Sequence, residues 1–210
     1  METTKKHPKY YEVIAKGDDL LDPVDYHQLV NHPSFCGTCG QPLAGIKTLP
    51  DIQIKEMYKK QCSIYYMSHF KGVPVWAIHI TLLEELAKFV KVEDYLMLGT
   101  LLDAHQNIIE TYRTFLPRYY LFVRGSIFFE KTCEACHSYI YSDYRAPYLP
   151  RIVIGCPIPL FGVKGASLMV NTEIGLHLKA LKLPCLSVSF LKIQQELPQN
   201  AHVPLYKTYF

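Results

Sequence analysis

Four of the seven cysteines stand in two pairs of identical spacing, Cys36-Gly37-Thr38-Cys39 and Cys133-Glu134-Ala135-Cys136. A turn with two residues between its cysteines presents both sulfurs to one ion. Two such turns complete a tetrahedral four-thiolate zinc site with Zn–S distances of about 2.3 Å. The residue after the second cysteine of such a turn often takes a left-handed backbone. Gly40 follows the first pair and suits that conformation. His137 follows the second, and histidine enters the left-handed region more readily than most side chains. The chemistry expected is architectural, because four thiolates leave no coordination position open for a substrate or water. Cys36, Cys39, Cys133 and Cys136 are therefore the candidate ligands of a structural Zn2+, and no residue is assigned a catalytic role.

The pairs are separated by nearly half the chain, whereas compact zinc ribbons keep theirs about 15–20 residues apart. Distance alone does not forbid a shared site. Loop closure costs roughly 0.6 kcal/mol per doubling of length, against about 10–16 kcal/mol that a structural zinc returns in favourable cases. Three other readings stay open. The pairs can form separate sites assisted by His32 or His137. They can be ordinary buried thiols. They can be redox centres, which is disfavoured because neither pair leads into a helix whose N-terminus would lower a thiol pKa. Glu134 reads as a solvated loop residue. Cys62, Cys156 and Cys185 lie in apolar or strand-like stretches and read as buried filler.

The elements that would carry the cysteines follow from pattern. Lys9–Lys16 has the β-branched and aromatic content of a first strand. Asp18–Pro33 is polar and turn-rich and leads to the first pair, where Gly37, Gly40, Pro42 and Gly45 make a loop. Asp51 is placed to cap a short helix over Ile52–Cys62. Two strands follow, Cys62–Phe70 and Val73–Ile80. The second runs into a capping box, Thr81 with Glu84, and a helix whose buried face holds Leu83, Leu86, Phe89 and Val90. Glu93–His105 has no single period, Asn107–Leu116 alternates in part, and Arg118–Lys131 reads as a hairpin or two short strands delivering the second pair. The prolines from Pro147 to Pro159 mark loop. The closing unit is a strand (Ser167–Val170), a helix (Glu173–Leu181) and a strand (Leu186–Ile193). Asn171 or Thr172 caps that helix, Ile174, Leu178 and Leu181 face the core, and Pro184 prevents continuation. Strands and helices without regular β-α-β alternation give an α+β class, with a mixed or antiparallel sheet, a few helices and the two CxxC zinc knuckles brought together.

The 210 residues suit one domain, with an ordered core over about residues 10–193 and a loosely held tail over 194–210. Hydrophobic residues at 49% supply a core. A net charge of +3 without a concentrated basic stretch argues against nucleic acid as a partner. Arg124–Lys131 has the basic residue, glycine and Phe128 of an RNA-binding octamer. It has Ser126 where a base-stacking ring belongs. Apolar runs are far short of the ~20 residues a membrane span needs, and the first residues lack an apolar signal stretch, so a cytoplasmic, membrane-free location is expected. No Walker loop, dinucleotide glycine fingerprint, GxSxG or HExxH occurs. His79 and His177 read as a satisfied strand residue and a helix boundary residue. Sixteen tyrosines suit either sheet packing or a protein interface. Nothing in the pattern sets an oligomeric state.

With these pieces in order, the layout resembles the double-CxxCG motif family, a paralogous bacterial family best known from myxobacteria. The resemblance rests on the aromatic strand YYEVI, then CGTCG, then VPVWAIHITLLEELAKF, then CEACH. The closing unit IPLFGVKGASLMVNTEIGLHLKALKLPCLSVSF adds most of the weight. It covers Tyr10 to Ile193, with His137 in place of the second motif's glycine. The resemblance implies a non-enzymatic, zinc-binding, immunity-type protein that neutralises a cognate toxin by direct contact. The alternative is a zinc-ribbon-like module that binds nucleic acid.

Overall fold

The computed structural model describes residues 10–16, 20–25, 32–39, 43, 46–57, 61–70, 73–121, 131–137, 139–140, 158–163, 167–190 and 207–208. Its elements in chain order are β1 (Tyr10–Ala15), β2 (Leu20–Leu21), β3 (Ile52–Gln53), β4 (Ile64–Phe70), β5 (Val73–His79), α1 (Ile80–Ala87), a 3-10 turn (Val92–Asp94), β6 (Leu96–Leu102), β7 (Ile108–Pro117), β8 (Tyr119–Leu121), β9 (Lys131–Thr132), β10 (Tyr139–Ile140), β11 (Leu160–Val163), β12 (Ser167–Asn171), α2 (Thr172–Leu181), β13 (Leu186–Phe190) and β14 (Lys207–Thr208). The class is α+β.

One six-stranded sheet runs in the order β2-β4-β5-β7-β6-β3. Its four inner strands pair antiparallel, and the short outer strands β2 and β3 pair parallel. Side chains alternate between two buried faces. Tyr65, Met67, Val75, Ala77, Met97 and Leu116 join one cluster, together with Leu21 and Ile52 of the outer strands and Phe35, Leu49 and Ile54 from outside the strands. Ile64, Trp76, Ile78, Leu96 and Phe115 go to the other. A strand buried on both faces reads as an unbroken apolar run, which is why Glu93–His105 shows no single period although it carries β6. Trp76 and Phe115 are directly opposed across β5 and β7 and stack with ring centroids 5.3 Å apart.

The second sheet runs β13-β1-β12-β11-β8-β14, antiparallel except where β8 meets β11. Tyr11, Val13, Leu168 and Val170 from this sheet share one core with the second face of the first sheet, with Leu82 and Leu86 of α1 and with Ile174 and Leu178 of α2. Gly175 lets α2 lie against β1. A Cβ there would sit 2.4–2.6 Å from the Tyr11 side chain, closer than any real contact. The chain passes from the first sheet to the second at Arg118, between β7 and β8. Of the tail, residues 207–208 are described, as β14 against β8.

Several expectations change. No helix forms among the described residues of Ile52–Cys62. Ile52 and Ile54 are buried with Gln53 between them, a two-residue period that makes β3 and a bridge from Ile54 to Pro23. The cap of α1 is His79, whose Nδ1 accepts from the Thr81 N–H at 3.2 Å, so Thr81 lies inside the helix. Leu82 is buried there with Leu86, while Leu83, Phe89 and Val90 are half-buried against the core. In α2 the Asn171 Oδ1 accepts from Ile174 N–H at 3.0 Å, as a cap should. Leu181 is exposed rather than facing the core, because Lys182 turns left-handed and ends the helix beside it. The octamer stretch from Arg124 through Glu130, Cys156 and the Pro147–Pro157 loop lie outside the described residues.

Candidate metal centre

The first knuckle is joined to the main core through Phe35. Phe35 is buried against the first sheet immediately before Cys36, and its N–H donates to the His32 carbonyl at 2.9 Å. Leu43 N–H returns to the Ser34 carbonyl at 2.9 Å and closes the loop around the cysteines. The His32 ring takes no place among the thiols. Its Nδ1 accepts from Ser34 N–H at 3.2 Å, and the ring stands edge-on to Phe35. The second knuckle is the tip of the β9–β10 hairpin, whose register pairs Thr132 with Tyr139. His137 N–H donates to the Cys133 carbonyl at 2.8 Å, and His137 has φ 57°, the left-handed conformation expected of the residue after the second cysteine.

The two knuckles meet. The Sγ atoms of Cys36, Cys39, Cys133 and Cys136 all lie within 4.8 Å of one another. The Cys36–Cys133 and Cys39–Cys136 sulfurs are 3.8 and 3.4 Å apart, and none of the four is in a disulfide. A regular tetrahedron with Zn–S of about 2.3 Å has sulfur–sulfur edges of about 3.8 Å. Those two sulfur–sulfur distances lie close to that length, and the four cysteines can hold a metal such as zinc. Cys36, Cys39 and Cys133 are buried, Cys136 is half-buried, and Leu43 packs against the group. Glu134 is exposed, as a solvated loop residue should be.

Burial pushes the Cys36 thiol up. Hydrogen bonds from the Cys39 and Thr38 backbone and from the Cys136 and Cys39 thiols outweigh it and bring the group down to about 6. At a sulfur whose proton is held this weakly, the proton competes less with a metal for the thiolate.

Arg118 ties the two approaches together. Its Nε donates to the Glu93 carbonyl at 2.7 Å, and Nη2 and Nη1 donate to the Lys47 and Ile46 carbonyls at 2.7 and 3.4 Å. The limb leaving the first knuckle is thereby clamped at the point where the chain starts toward the second. Nothing in the spacing of Arg118 marks it from sequence alone, because its partners are main-chain carbonyls.

His79, His177 and Glu85 have structural partners. His79 caps α1 and lies edge-on to Tyr112 at 4.9 Å. His177 Nε2 and Glu85 Oε2 are 2.6 Å apart, which joins α1 to α2, and Lys88 reaches the same carboxylate. The reading of Cys62 and Cys185 as filler is corrected. They form a disulfide across 123 positions, with Cα atoms 5.0 Å apart. Each stands just before a strand, β4 and β13, and no sequence spacing connects them. Burial pushes the Tyr112 phenol far above its ordinary range. It donates to the Cys62 carbonyl at 2.8 Å, and Cys62 N–H donates to the Tyr65 hydroxyl at 3.2 Å.

Among the described residues, no helix is long and apolar enough to cross a membrane. No protein-family model and no curated protein matches this chain.

Proposed function

We propose that this chain is a non-enzymatic, cytoplasmic zinc protein that acts by binding another protein, with Zn2+ on Cys36, Cys39, Cys133 and Cys136 as a structural clamp. The observation that carries the reading is the sulfur geometry. Four sulfurs that all lie within 4.8 Å of one another can take all four positions of a tetrahedral ion, and an ion so held would have no reactive position open. The ion would join the loop after β2 to the β9–β10 hairpin, two segments far apart in the chain. Its work is then to fix a surface rather than to perform a reaction.

The kind of partner comes from the resemblance to the double-CxxCG motif family. On that reading the protein is of immunity type and covers a cognate toxin through a shape- and charge-complementary face. Such partners are encoded side by side, so the test uses the product of the adjacent gene. The metal-loaded chain is expected to bind that protein and to relieve its toxicity on co-expression, and the Cys36→Ser variant to do neither. Absence of binding by the metal-loaded chain overturns the immunity reading. Salt-sensitive binding to RNA or DNA instead would assign the surface to nucleic acid.

A further inference from the structure

A groove of about 480 Å³ opens beside the disulfide, on the side of the molecule formed by the end of α2, the turn into β13 and the end of β1. Its wall carries Lys16, Lys179, Lys182 and Cys185, and among the described residues no carboxylate lines it. All three lysines are exposed, and among the described residues none is in an ion pair. Lys179 and Lys182 also face the carbonyl end of α2, which takes up about half an elementary charge. A clear positive surplus is left in the groove. Its volume suits a small organic ligand.

The disulfide is asymmetric in this setting. Cys62 is buried, whereas Cys185 is half-buried and forms part of the groove. Cys185 is held in a left-handed conformation, φ 52°, by Lys16 N–H donating to its carbonyl at 2.7 Å. Cys62 is held independently of the sulfur bond by the Tyr65 and Tyr112 hydroxyls. Ser63 N–H also donates to the Pro184 carbonyl at 2.9 Å, which keeps the two cysteines adjacent whether or not they are bonded.

We propose that this groove is a thiol–disulfide exchange site for small anionic thiols. The lysines bind the carboxylates of the incoming molecule. Its thiolate attacks Cys185 Sγ, a new sulfur–sulfur bond forms there, and the Cys62–Cys185 bond breaks. The electron pair leaves on Cys62 Sγ, which takes a proton from solvent. The product is a mixed disulfide on Cys185 and a free Cys62 thiol. The reverse attack by Cys62 expels the small thiol and restores the starting bond. Each exchange opens or closes the link between β4 of one sheet and β13 of the other.

The test exposes metal-loaded protein, without oxygen, to reduced glutathione as the anionic probe and to cysteamine as the cationic one, at equal thiolate concentrations. Iodoacetamide traps freed thiols, and peptide mapping locates adduct and label. Glutathione is expected on Cys185 and the alkyl label on Cys62. The ratio of glutathione to cysteamine rates is expected to fall about tenfold in a Lys16→Gln, Lys179→Gln, Lys182→Gln variant, the low end of what a one-signed cleft does to on-rates. Adduct on Cys62, no adduct, or an unchanged ratio overturns the proposal. A Cys62→Ser chain gives a second reading free of the staple. Oxidised glutathione should load its Cys185 at a rate that the same lysine substitutions depress, and an equal rate in both backgrounds also overturns the proposal.

Discussion

Replacing Arg118 should loosen the metal centre from a distance. The guanidinium holds three carbonyls, Glu93 and Lys47 at 2.7 Å and Ile46 at 3.4 Å, and none of these contacts involves a cysteine. A hydrogen bond from a charged donor is worth about 1.5–3 kcal/mol. Adding three such values would overstate the loss, because the site is largely solvent-facing and the freed carbonyls regain water. One bond's worth, about 1.5–3 kcal/mol, is the defensible magnitude for Arg118→Gln. For a domain of this size about 2–4 °C of Tm corresponds to each kcal/mol, so a fall of roughly 3–12 °C is expected. Part of the loss should appear in the metal itself, since the clamped limb carries the first knuckle. Competition against a chromophoric chelator should show weaker zinc retention, about tenfold for each 1.4 kcal/mol transmitted. Arg118→Lys keeps the charge but lacks the planar fork, and should recover only a minor part. Thermal unfolding by circular dichroism and the chelator titration, run on both variants, check this. Unchanged Tm and unchanged zinc retention in Arg118→Gln would refute the claim that this side chain positions the knuckles.

Two further outcomes follow from contacts outside the metal centre. Cys185→Ser should lower unfolding stability by about 2–5 kcal/mol in urea, because the bond closes 123 positions of chain, and wild-type protein under reductant should then match the variant. Hydrogen bonds from Lys88 and His177 hold the Glu85 carboxyl below its ordinary range. A depressed carboxyl adds stability that is present above its unfolded value of about 4.3 and is lost as pH falls through the lower folded value. The gap between wild-type and Glu85→Gln urea midpoints should therefore narrow as pH falls below about 4.3.

The site was legible from residue types and spacing in a way that much of the scaffold was not. A CxxC turn is local, so both knuckles could be read, and the left-handed His137 follows from the same local geometry. The first strand, the strand into α1 and the closing strand–helix–strand unit were also legible, because apolar period, cap and proline agree there. The short segment Ile52–Gln53 was not, because an alternation that runs only from Ile52 to Ile54 is too brief to tell a strand from a helix, and the neighbouring sheet selects the strand. The true cap of α1 was hidden because a histidine ring can do what Thr81 was expected to do. Arg118 and the Cys62–Cys185 pair were invisible for one shared reason. Their partners lie far away in the chain, 25 to 72 positions from Arg118 and 123 between the cysteines, and nothing within a short window of sequence encodes those meetings.

The central claim is that sulfurs from the two knuckles grip one ion together. X-ray absorption at the zinc edge, on protein purified under reducing conditions, tests it most directly. The expected result is about one zinc per chain with four sulfur neighbours near 2.3 Å, and loss of that zinc in both Cys36→Ser and Cys133→Ser. Nitrogen or oxygen in two or more positions, or zinc that survives either substitution with the other pair intact, would contradict it.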